Sequence, residues 1–351
     1  MGASPWVALF SGSGDGTVQL SIYTQLFLPS IMHTPIRHLL ISGTGGFVGT
    51  NLIPYLKHQL PGVKITHLSR TRPTQPTEDS FVLWSELSTA SLQEVDAVIH
   101  LAGKAHDTQN TSAPHEYFDI NYGLTKQLYD WYLQQTATKF IFLSSVKAAA
   151  DRVSGVLEES ITPDPKTPYG QSKLKAETHI ISASAGMKAS DKQYYILRPC
   201  MIHGPGNKGN LNLLYQFAAK GWPYPLADFS NKRSFLSIEN LSFVITQLLK
   251  QEVASGIFHL ADDEPLSTND LIRIMSGVMN KPARLLRLPQ SFVTAIAGIG
   301  DLLRLPLNKE RLKKLTESYV VSNKKIKAAL HIDQLPIAAA EGMITTIKSF
   351  K

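Results

Sequence analysis

The chain has 351 residues, of which 43% are hydrophobic and 18% are charged. This is the composition of an ordinary globular protein, with enough apolar material for a sizeable core. The one cysteine, Cys200, excludes an internal disulfide framework and a zinc cluster built on cysteines. A reducing compartment is therefore predicted, and we expect the protein in the cytoplasm.

The formal net charge of +7 allows two interpretations. A basic surface attracts nucleic acid, but it also favours small anionic ligands such as dinucleotides and nucleotide sugars. The basic residues form short pairs, such as Lys313-Lys314 and Lys324-Lys325, rather than a dense run. We therefore expect small anionic ligands and no nucleic-acid partner.

Residues 1–31 differ from the rest of the chain. They are partly rich in glycine and serine, contain no lysine or arginine, and have only short apolar stretches. A signal peptide needs a basic start and a longer apolar run. We predict a disordered extension here and begin the fold at residue 32.

The most apolar stretch, residues 292–305, is interrupted by Asp301 and Arg304. It is shorter than the ~20 residues that a membrane span requires, so no stable span is predicted. Two interpretations stay open for this stretch. It forms a helix that lines a substrate pocket, which we favour, or it makes a weak contact with a membrane surface.

From residue 38 onward, short apolar runs alternate with helical patterns. The predicted strands cover residues 38–42, 63–68, 81–84, 96–102, 140–143 and 194–197, and the predicted helices cover residues 47–58, 117–135 and 169–182. Strands separated by helices indicate βαβ units and a doubly wound parallel sheet of the α/β class. Past Arg198 loops and helices dominate, except for short strands near residues 234–237 and 257–260.

A glycine-rich turn joins the first predicted strand to the first predicted helix. Gly43 permits the tight turn, Gly46 lets the backbone approach a pyrophosphate, and Gly49 allows close packing of helix and strand. The pyrophosphate would lie on the N–H groups where the helix begins, at Phe47 and Val48. This position in a βαβ unit predicts dinucleotide binding on a Rossmann fold. The bland alternative for a lone glycine motif is a flexible turn.

The second predicted strand ends at the adenosine ribose in such a fold. An enzyme specific for NAD usually carries an acidic residue there, whereas this chain has Arg70 and Arg72. A guanidinium suits a 2′-phosphate, so NADP is favoured over NAD. Two solvated arginines on a loop are the alternative.

A tyrosine and a lysine lie four residues apart at Tyr169 and Lys173, and so share one face of a helix. A phenol ordinarily ionises near pH ~10, and a nearby ammonium lowers that pKa. Tyr169 is therefore the predicted acid–base catalyst, with Lys173 as its modulator and as a ligand of the nicotinamide ribose. Ser145, at the end of a strand, would hold the same substrate oxygen. Its alternative role is a turn or cap.

In this order the motifs resemble those of the extended short-chain dehydrogenases of the NAD-dependent epimerase/dehydratase family. The matching segments are Gly43–Gly49, His100–Gly103, Asn121, Ser144-Ser145, Tyr169 with Lys173, residues 197–199, Arg233 and residues 258–262. Within the family the chain is similar to bacterial enzymes that act at C4 of UDP-sugars, either as 4-epimerases or as 4-keto-sugar reductases.

The resemblance implies further site residues and an organisation. Leu101, Ala102 and Gly103 would contact the cofactor, Arg233 would bind the diphosphate of a UDP-sugar, and Asn210 would lie near its nucleotide. A homodimer is also implied. The NAD(P)-binding domain would cover residues 32–204, with strands near 234–262 returning to it. Residues 205–233 and 263–351 would form a smaller, mainly helical substrate lobe.

The chain departs from the sugar dehydratases of this family after Ser145. It carries Val146-Lys147 where those enzymes have an Asp-Glu pair that drives water loss, which argues against dehydration. Lys147 either meets a substrate phosphate or is a solvated loop cation. His203 has no cluster of metal-binding residues around it in sequence, so no metal is predicted.

Together these features predict an NADP- or NAD-dependent enzyme that acts at C4 of a UDP-hexose. The leading interpretation is a reductase that makes a UDP-deoxyhexose such as UDP-N-acetylquinovosamine, a polysaccharide precursor, because Arg70 and Arg72 favour NADP. The first alternative is a UDP-hexose 4-epimerase. The second is a non-catalytic Rossmann protein that senses NAD(P).

Overall fold

Seven parallel strands form the central sheet of the computed structural model, which describes residues 36–73, 79–90, 92, 94–104, 113–188, 191–207, 209–303, 312–313 and 316–350. The strands are β1 (His38–Ser42), β2 (Lys64–Ser69), β3 (Ser80–Leu83), β4 (Ala97–His100), β5 (Lys139–Leu143), β7 (Gln193–Pro199) and β10 (Gly256–Leu260). Four shorter strands form two further pairs, β6 (Val156–Leu157) with β11 (Val320–Val321) and β8 (Met201–His203) with β9 (Phe235–Ser237).

Helices connect these strands. They are α1 (Phe47–Gln59), α2 (Pro114–Tyr117), α3 (Leu124–Leu133), α4 (Pro168–Ala183), α5 (Asn210–Ala219), α6 (Ile238–Lys250), α7 (Thr268–Val278), α8 (Gln290–Leu303), α9 (Lys324–Ala329) and α10 (Ala339–Lys348). A π-helix, Phe118–Gly123, joins α2 to α3, and a 3₁₀ turn, Val146–Ala148, follows β5. The predicted helix over residues 117–135 is therefore three consecutive elements.

The central strands are buried on both faces, as their continuous apolar runs require. In β1, Leu39 and Ile41 pack into one apolar cluster and Leu40 packs into the other. The same alternation continues in β5, where Ile141 faces the first cluster and Phe140 faces the second. This period of two places the sheet between two helical layers, which is the predicted doubly wound architecture.

The order of strands across the sheet is β3-β2-β1-β4-β5-β7-β10. The chain runs outward from β1 to β3, returns to β4 on the other side of β1, and then runs outward to β10. The order thus reverses between β1 and β4, and in open α/β sheets ligands bind at the carboxyl ends of the strands beside such a reversal. The register pairs Ser42 with His100 at this edge.

A third apolar cluster lies outside the sheet. It joins α5, α7, α8 and α10 through buried residues such as Leu211, Met275, Val293 and Met343. Residues 35–351 nevertheless form one compact unit. The division into a cofactor domain and a substrate lobe therefore stays a prediction, and the predicted extension over residues 1–31 lies outside the described residues.

Candidate active site

The glycine-rich turn after β1 is shaped by two close backbone approaches. Gly43 has a φ of +75°, and a β-carbon there would stand 2.5 Å from the backbone nitrogen of Ala102. A β-carbon on Gly49 would stand 2.5 Å from the carbonyl oxygen of Thr44. A real β-carbon contact is never this short, so both positions require glycine. The turn consequently lies directly against the segment that follows β4.

The N-terminus of α1 is open for an anion. Its N-cap, Gly46, makes no side-chain capping bond, and the first turn contains no acidic residue. The first N–H groups of a helix have no partners within the helix and carry a partial positive charge. Those of Phe47 and Val48 begin this helix. The turn and the helix end therefore fit the pyrophosphate of a dinucleotide, as the glycine spacing predicted.

The two arginines after β2 have different surroundings. Arg72 donates from Nη2 to the carboxylate of Glu86, at 2.7 Å and 2.9 Å, and from Nη1 to the carbonyl oxygen of Phe81. Arg70 is exposed. Arg72 is thus engaged in a surface ion pair, so the sequence-based argument for NADP rests on Arg70.

Sequence reasoning missed His67, which lies on β2 beside the phosphate turn. Its Nδ1 lies 2.9 Å from the hydroxyl of Thr44, and its Nε2 lies 3.2 Å from the carboxylate of Asp79. The ring stacks on Phe81 with centroids 4.5 Å apart. These contacts fix the second residue of the glycine turn. No local signal could have found them, because Thr44 and Asp79 are brought to His67 only by the sheet.

Ser145 and Tyr169 meet at the carboxyl end of β5. Ser145 caps the 3₁₀ turn through its Oγ, which accepts from the backbone nitrogen of Lys147 at 3.2 Å, and it also hydrogen-bonds Tyr169. The Tyr169 ring is supported edge-to-face by Tyr117, with centroids 6.2 Å apart. The structure therefore brings together the predicted acid–base tyrosine and the predicted serine, and Ser145 is also a cap.

The start of α4 explains how Tyr169 reaches Ser145. Thr167 is the N-cap, its hydroxyl accepts from the backbone nitrogen of Gly170 at 3.2 Å, and Pro168 occupies the first turn. A β-carbon on Gly170 would stand 2.3 Å from the carbonyl oxygen of Lys147. Only glycine lets the helix begin this close to the turn after β5. No local sequence pattern indicates this role of Gly170, because Lys147 lies 23 residues earlier in the chain.

Lys173 lies one helical turn beyond Tyr169 and is buried. Its Nζ donates to the carbonyl oxygen of Leu143 at 2.9 Å and lies 4.9 Å from the centre of the Phe142 ring. A β-carbon on Gly103 would stand 3.0 Å from this Nζ, so the glycine leaves room for the ammonium. Lys173 is thereby held at the junction of β4, β5 and α4, beside Gly103.

The pKa values in this cluster correct one expectation. We expected Lys173 to lower the pKa of Tyr169, but burial raises it; the hydrogen bond with Ser145 opposes the rise. Burial also lowers the pKa of Lys173 to about 8, although the carboxylate of Glu177 acts in the opposite direction. Lys173 does not lower the pKa of Tyr169 because its ammonium is itself desolvated and donates to the carbonyl oxygen of Leu143. Tyr169 therefore carries its proton at neutral pH.

A buried ion pair anchors α4 beneath the site. Arg198 on β7 donates from Nη2 to Oε2 of Glu177 at 2.5 Å, and each side chain is 1% exposed. Ser144 donates to the other oxygen of the same carboxylate. Glu177 is two turns beyond Tyr169, so the pair fixes the helix that carries both Tyr169 and Lys173.

Asn121, in the π-helix, links the site to the sheet. Its amide nitrogen donates to Ser172 Oγ at 3.0 Å, and its amide oxygen accepts from the backbone nitrogen of Lys104 at 2.7 Å. The backbone carbonyl oxygen of Asn121 accepts from Thr125 Oγ1 at 2.6 Å, and that hydroxyl contacts His100 Nε2 at 2.9 Å. π-Helical turns occur often at functional sites. This one brings the carboxamide against α4.

The His100 ring continues this row of hydrogen bonds to the glycine turn. Its Nδ1 lies 2.6 Å from Ser42 Oγ, which also accepts from the backbone nitrogen of Ala102 at 3.3 Å. Burial lowers the pKa of His100 to about 3, with a further contribution from Lys173. His100 is therefore neutral and ties β1, β4 and the π-helix together.

Two cationic side chains lie near one another on the other side of Ser145. Lys147 Nζ donates to the carbonyl oxygen of Asp151 at 2.8 Å and lies 4.4 Å from the centre of the Tyr319 ring. The backbone of Arg233 is bridged to Tyr319. Burial lowers the pKa of Lys147; the carboxylates of Asp151 and Glu317 oppose this, and the like charge of Arg233 lowers the pKa further. Lys147 is thus a half-buried cation rather than a freely solvated one.

The remaining predicted residues are more peripheral. Asn210 begins α5, and its side chain lies outside the described residues. The adjoining loop contributes Gly206 and Asn207 to a surface depression that is also lined by Tyr215 and Phe350. His203 is buried and bonds Thr346. Among the described residues, no group of three or more metal-binding side chains is present, and no helix is long and apolar enough to cross a membrane.

This arrangement defines a class of protein, a nucleotide-binding Rossmann enzyme with a Ser-Tyr-Lys site. The model of the NAD dependent epimerase/dehydratase family matches residues 39–261. The chain belongs to this family and is an NAD(P)-dependent enzyme of the extended short-chain dehydrogenase type.

The chain is similar in sequence and in fold to enzymes that are named as 4-epimerases of diphosphate-linked sugars. It is 28% identical over 267 residues to UDP-glucose 4-epimerase of Vibrio cholerae, which covers 72% of this chain and 79% of the relative. It is 27% identical over 297 residues to N-acetyl-alpha-D-glucosaminyl-diphospho-ditrans,octacis-undecaprenol 4-epimerase of Escherichia coli O157:H7, covering 83% and 84%. The solved UDP-N-acetylglucosamine 4-epimerase of Bacillus cereus superposes with a TM-score of 0.67 at 21% identity, covering 90% and 95% of the two chains.

Proposed function

We propose that the protein is a 4-epimerase of a UDP-hexose and uses a bound nicotinamide cofactor. The observation that carries this proposal is the hydrogen-bonded Ser145–Tyr169 pair, one helical turn from Lys173, at the carboxyl end of β5. The relatives from V. cholerae and E. coli O157:H7 are both named as 4-epimerases of a sugar that is linked through a diphosphate, to uridine in one and to undecaprenol in the other, and this supports the same reaction here.

The protein residues supply acid–base chemistry and orientation. Tyr169 would take the proton of the C4 hydroxyl and later return it, while Ser145 would hold the same oxygen by a hydrogen bond. The nicotinamide supplies the hydride chemistry when it is bound. Inversion at C4 then requires the 4-keto sugar to present its other face before the proton and the hydride return.

Because the pKa of Tyr169 is raised, donating a proton to the 4-keto oxygen is easier for this residue than taking the proton of the C4 hydroxyl. A protonated phenol can donate to a keto oxygen at neutral pH, but it needs a neighbouring positive charge before it can act as a base. Lys173 is one turn away and carries the ammonium that could provide this charge. We infer that Lys173 leaves the carbonyl of Leu143 when cofactor and substrate occupy the site.

The two cations near Tyr319 fit the diphosphate of the substrate. Arg233 presents a planar guanidinium, and Lys147 presents a point charge beside it. Both are partly desolvated, and a diphosphate bound there would share Lys147 and Arg233 with the carboxylates that already act on them, chiefly Asp151 and Glu317. The UDP group would then extend toward Gly206 and the start of α5, which leaves the hexose near Ser145.

A second candidate is a 4-keto reductase, and one observation favours it. Arg70 is exposed at the end of β2, where a 2′-phosphate would distinguish NADP from NAD. A reductase consumes a reduced cofactor in each turnover and so benefits from NADPH, whereas an epimerase regenerates its cofactor. Because Arg72 is bonded to Glu86, the NADP argument is weaker than the sequence indicated, and the epimerase becomes the leading proposal.

The test is incubation of the purified protein with UDP-glucose, UDP-N-acetylglucosamine and the matching undecaprenyl-diphosphate sugar, without added cofactor. We expect the C4 epimer of one substrate to form at catalytic yield, and deuterium at C4 to be retained in the product. A parallel incubation contains NADPH and a UDP-4-keto-6-deoxyhexose; turnover in that assay alone, with stoichiometric loss of NADPH absorbance, would establish the reductase instead. If no substrate reacts while NAD(P) binds, the protein is a cofactor sensor.

We also infer from the family resemblance that the enzyme is a homodimer in the cytoplasm. The single cysteine, Cys200, is buried and free, which suits a reducing compartment. Light scattering after size-exclusion chromatography gives the mass directly, and a monomer at micromolar concentration would contradict the dimer.

A further inference from the structure

An apolar and basic surface is formed by a stretch of chain before β9 and by the stretch that leads into α8. We call it the basic apolar face and define it by residues 219–228 and 281–298. Four large apolar side chains are exposed on it: Trp222 at 56%, Leu286 at 43%, Phe292 at 54% and Ile296 at 38%. Large exposed apolar patches on a folded protein usually mark an interaction site.

The two stretches run side by side, so these residues belong to one surface. The backbone nitrogen of Tyr224 donates to the carbonyl of Arg284 at 2.7 Å, and that of Leu286 donates to the carbonyl of Tyr224 at 2.9 Å. The side chain of Gln290 reaches the carbonyl oxygen of Asp228 at 2.9 Å. The start of α8 is thereby fixed beside the end of the first stretch.

Helix α8 presents apolar residues outward as well as inward. Val293 and Ala297 pack into the third apolar cluster, whereas Phe292 and Ile296, also four residues apart, are exposed. A surface helix of an ordinary globular protein carries polar residues on its outer face. The outward side chains Phe292 and Ile296 leave both predictions for this stretch open, a helix that lines a substrate pocket and a contact with a membrane surface.

Basic side chains surround the exposed apolar ones. Lys220, Lys281, Arg284 and Arg287 are all exposed, and residues 281–298 contain no acidic residue. Lys220 Nζ lies 4.8 Å from the centre of the Trp222 ring, and Lys281 donates to the carbonyl of Ala219. Asp228 is the acidic residue of the other stretch. The face thus carries a net positive charge on a chain whose overall charge is already +7.

We propose that the basic apolar face docks on the surface of an anionic phospholipid bilayer. Tryptophan and phenylalanine insert at the boundary between headgroups and acyl chains, while lysine and arginine beside them attract anionic headgroups. The face offers both chemistries together. A protein partner of the same shape would need acidic side chains around an apolar pocket, whereas an anionic bilayer provides charge and apolar depth over an extended plane.

The experiment is flotation of the full chain with vesicles of phosphatidylcholine, with or without 30–40 mol% phosphatidylglycerol, a composition of roughly the anionic content needed for electrostatic attraction. We expect binding to the anionic vesicles alone, reduced at least tenfold by high salt, because salt screens the attraction. Trp222→Ser, the pair Phe292→Ser/Ile296→Ser, and the pair Arg284→Gln/Arg287→Gln should each lower the partition coefficient at least tenfold.

Matched controls separate this face from general effects of charge and hydrophobicity. Val156 is 54% exposed, as Phe292 is, but lies on β6, and Lys188 and Lys250 are exposed cations away from the face. Val156→Ser and Lys188→Gln/Lys250→Gln should keep full vesicle binding. Equal loss in these controls would overturn the proposal, as would the absence of binding to anionic vesicles.

The other possible occupant is a second copy of this chain. Sedimentation without vesicles distinguishes the two cases, since a dimer held by this face would dissociate in the Phe292→Ser/Ile296→Ser variant. That outcome would overturn the membrane proposal. Vesicle binding does not depend on catalysis, so Tyr169→Phe should bind vesicles as the wild type does, and the test is independent of the proposed reaction.

Discussion

Gly170 and the carbonyl oxygen of Lys147 approach so closely that a β-carbon on the glycine would stand 2.3 Å from that oxygen. This contact sets where α4 begins and hence where Tyr169 lies relative to Ser145. Alanine at 170 must push the helix from the turn after β5. We expect Gly170→Ala to lower kcat at least 100-fold, because catalytic geometry tolerates little displacement.

A matched control exists for this substitution. Gly277 is also in a helix, α7, but has no atom within 4 Å of the position of a β-carbon. Gly277→Ala should leave kcat unchanged and raise the free energy of unfolding by up to about 1 kcal/mol through helix propensity. Near-normal turnover in Gly170→Ala would show that the contact is not needed to position Tyr169.

Tyr169→Phe removes one hydroxyl and retains the ring that packs against Tyr117. Turnover should fall by about 10²–10⁴-fold, the usual contribution of acid–base catalysis, while cofactor binding persists. The loss of turnover in Ser145→Ala should not add to the loss in Tyr169→Phe, since both side chains would hold the same substrate oxygen. Kinetics of the single and double variants measure this. Tyr122→Phe, on the neighbouring π-helix, is the control, and simple additivity would contradict the shared role.

The lowered pKa of Lys173 predicts a pH-dependent contribution to stability. The group binds its proton less readily in the folded chain, at about 8, than in the unfolded chain, near the ordinary 10.5. Stability from this group therefore rises with pH between these values and is smallest below pH 8. Across that pH range the free energy of unfolding of the wild type should rise by up to about 3 kcal/mol relative to that of Lys173→Met, since each pKa unit corresponds to ~1.4 kcal/mol. Chemical denaturation of both proteins at pH 7 and pH 10 measures this change. If the ammonium is not buried, the difference in the free energy of unfolding between the two proteins will be the same at both pH values.

Arg198→Met should lower the free energy of unfolding by about 3–5 kcal/mol, because it leaves the Glu177 carboxylate buried without its partner. The double variant Arg198→Met/Glu177→Gln should recover much of this loss. Chemical denaturation gives both values. The exposed pair Arg273–Asp270 is the control, and Arg273→Met should cost less than about 1 kcal/mol. A similarly small cost at Arg198 would show that the interior is more solvated than the 1% exposure indicates.

The two arginines after β2 should behave differently toward the cofactor. Arg70→Ala should weaken NADPH binding at least fivefold and leave NADH binding nearly unchanged, because an exposed guanidinium can reach a 2′-phosphate. Arg72→Ala should alter neither affinity by more than about twofold, since its guanidinium is bonded to Glu86. Isothermal titration with both cofactors checks this, and an equal effect of the two substitutions would refute the distinction.

Local sequence patterns were sufficient for the strands and helices of the parallel sheet and for placing Tyr169 and Lys173 on one helix. The apolar runs of β1 and β4 are continuous because both sheet faces are buried, and the spacing of Tyr169 and Lys173 follows from one helical turn. Partners that are distant in sequence could not be predicted. The Gly170–Lys147 contact and the Arg198–Glu177 pair exist only after the strands are ordered, so they carry no signal within a window of neighbouring residues.

The direction of the Tyr169 pKa was wrong for a related reason. The i,i+4 spacing shows that Lys173 shares a face with Tyr169, but not that the lysine is desolvated and bonded to Leu143. Arg72 was similarly taken together with Arg70 as a sign of NADP, although its partner Glu86 lies 14 residues along the chain. In both cases the sequence identified the charged side chain but not the group to which it is hydrogen-bonded.

The hydrogen-bonded row from Ser42 to Asn121 fixes the position of each proton in it. The Thr125 hydroxyl gives its one proton to the carbonyl of Asn121, so it must accept from His100 Nε2. With a pKa of about 3 the imidazole is neutral, and its Nδ1 must therefore accept from Ser42. The ring is a single tautomer, which nitrogen NMR can verify. The row ends at the backbone carbonyl of Asn121, which has no proton to pass on, so it holds His100 in one orientation rather than carrying protons away from Tyr169.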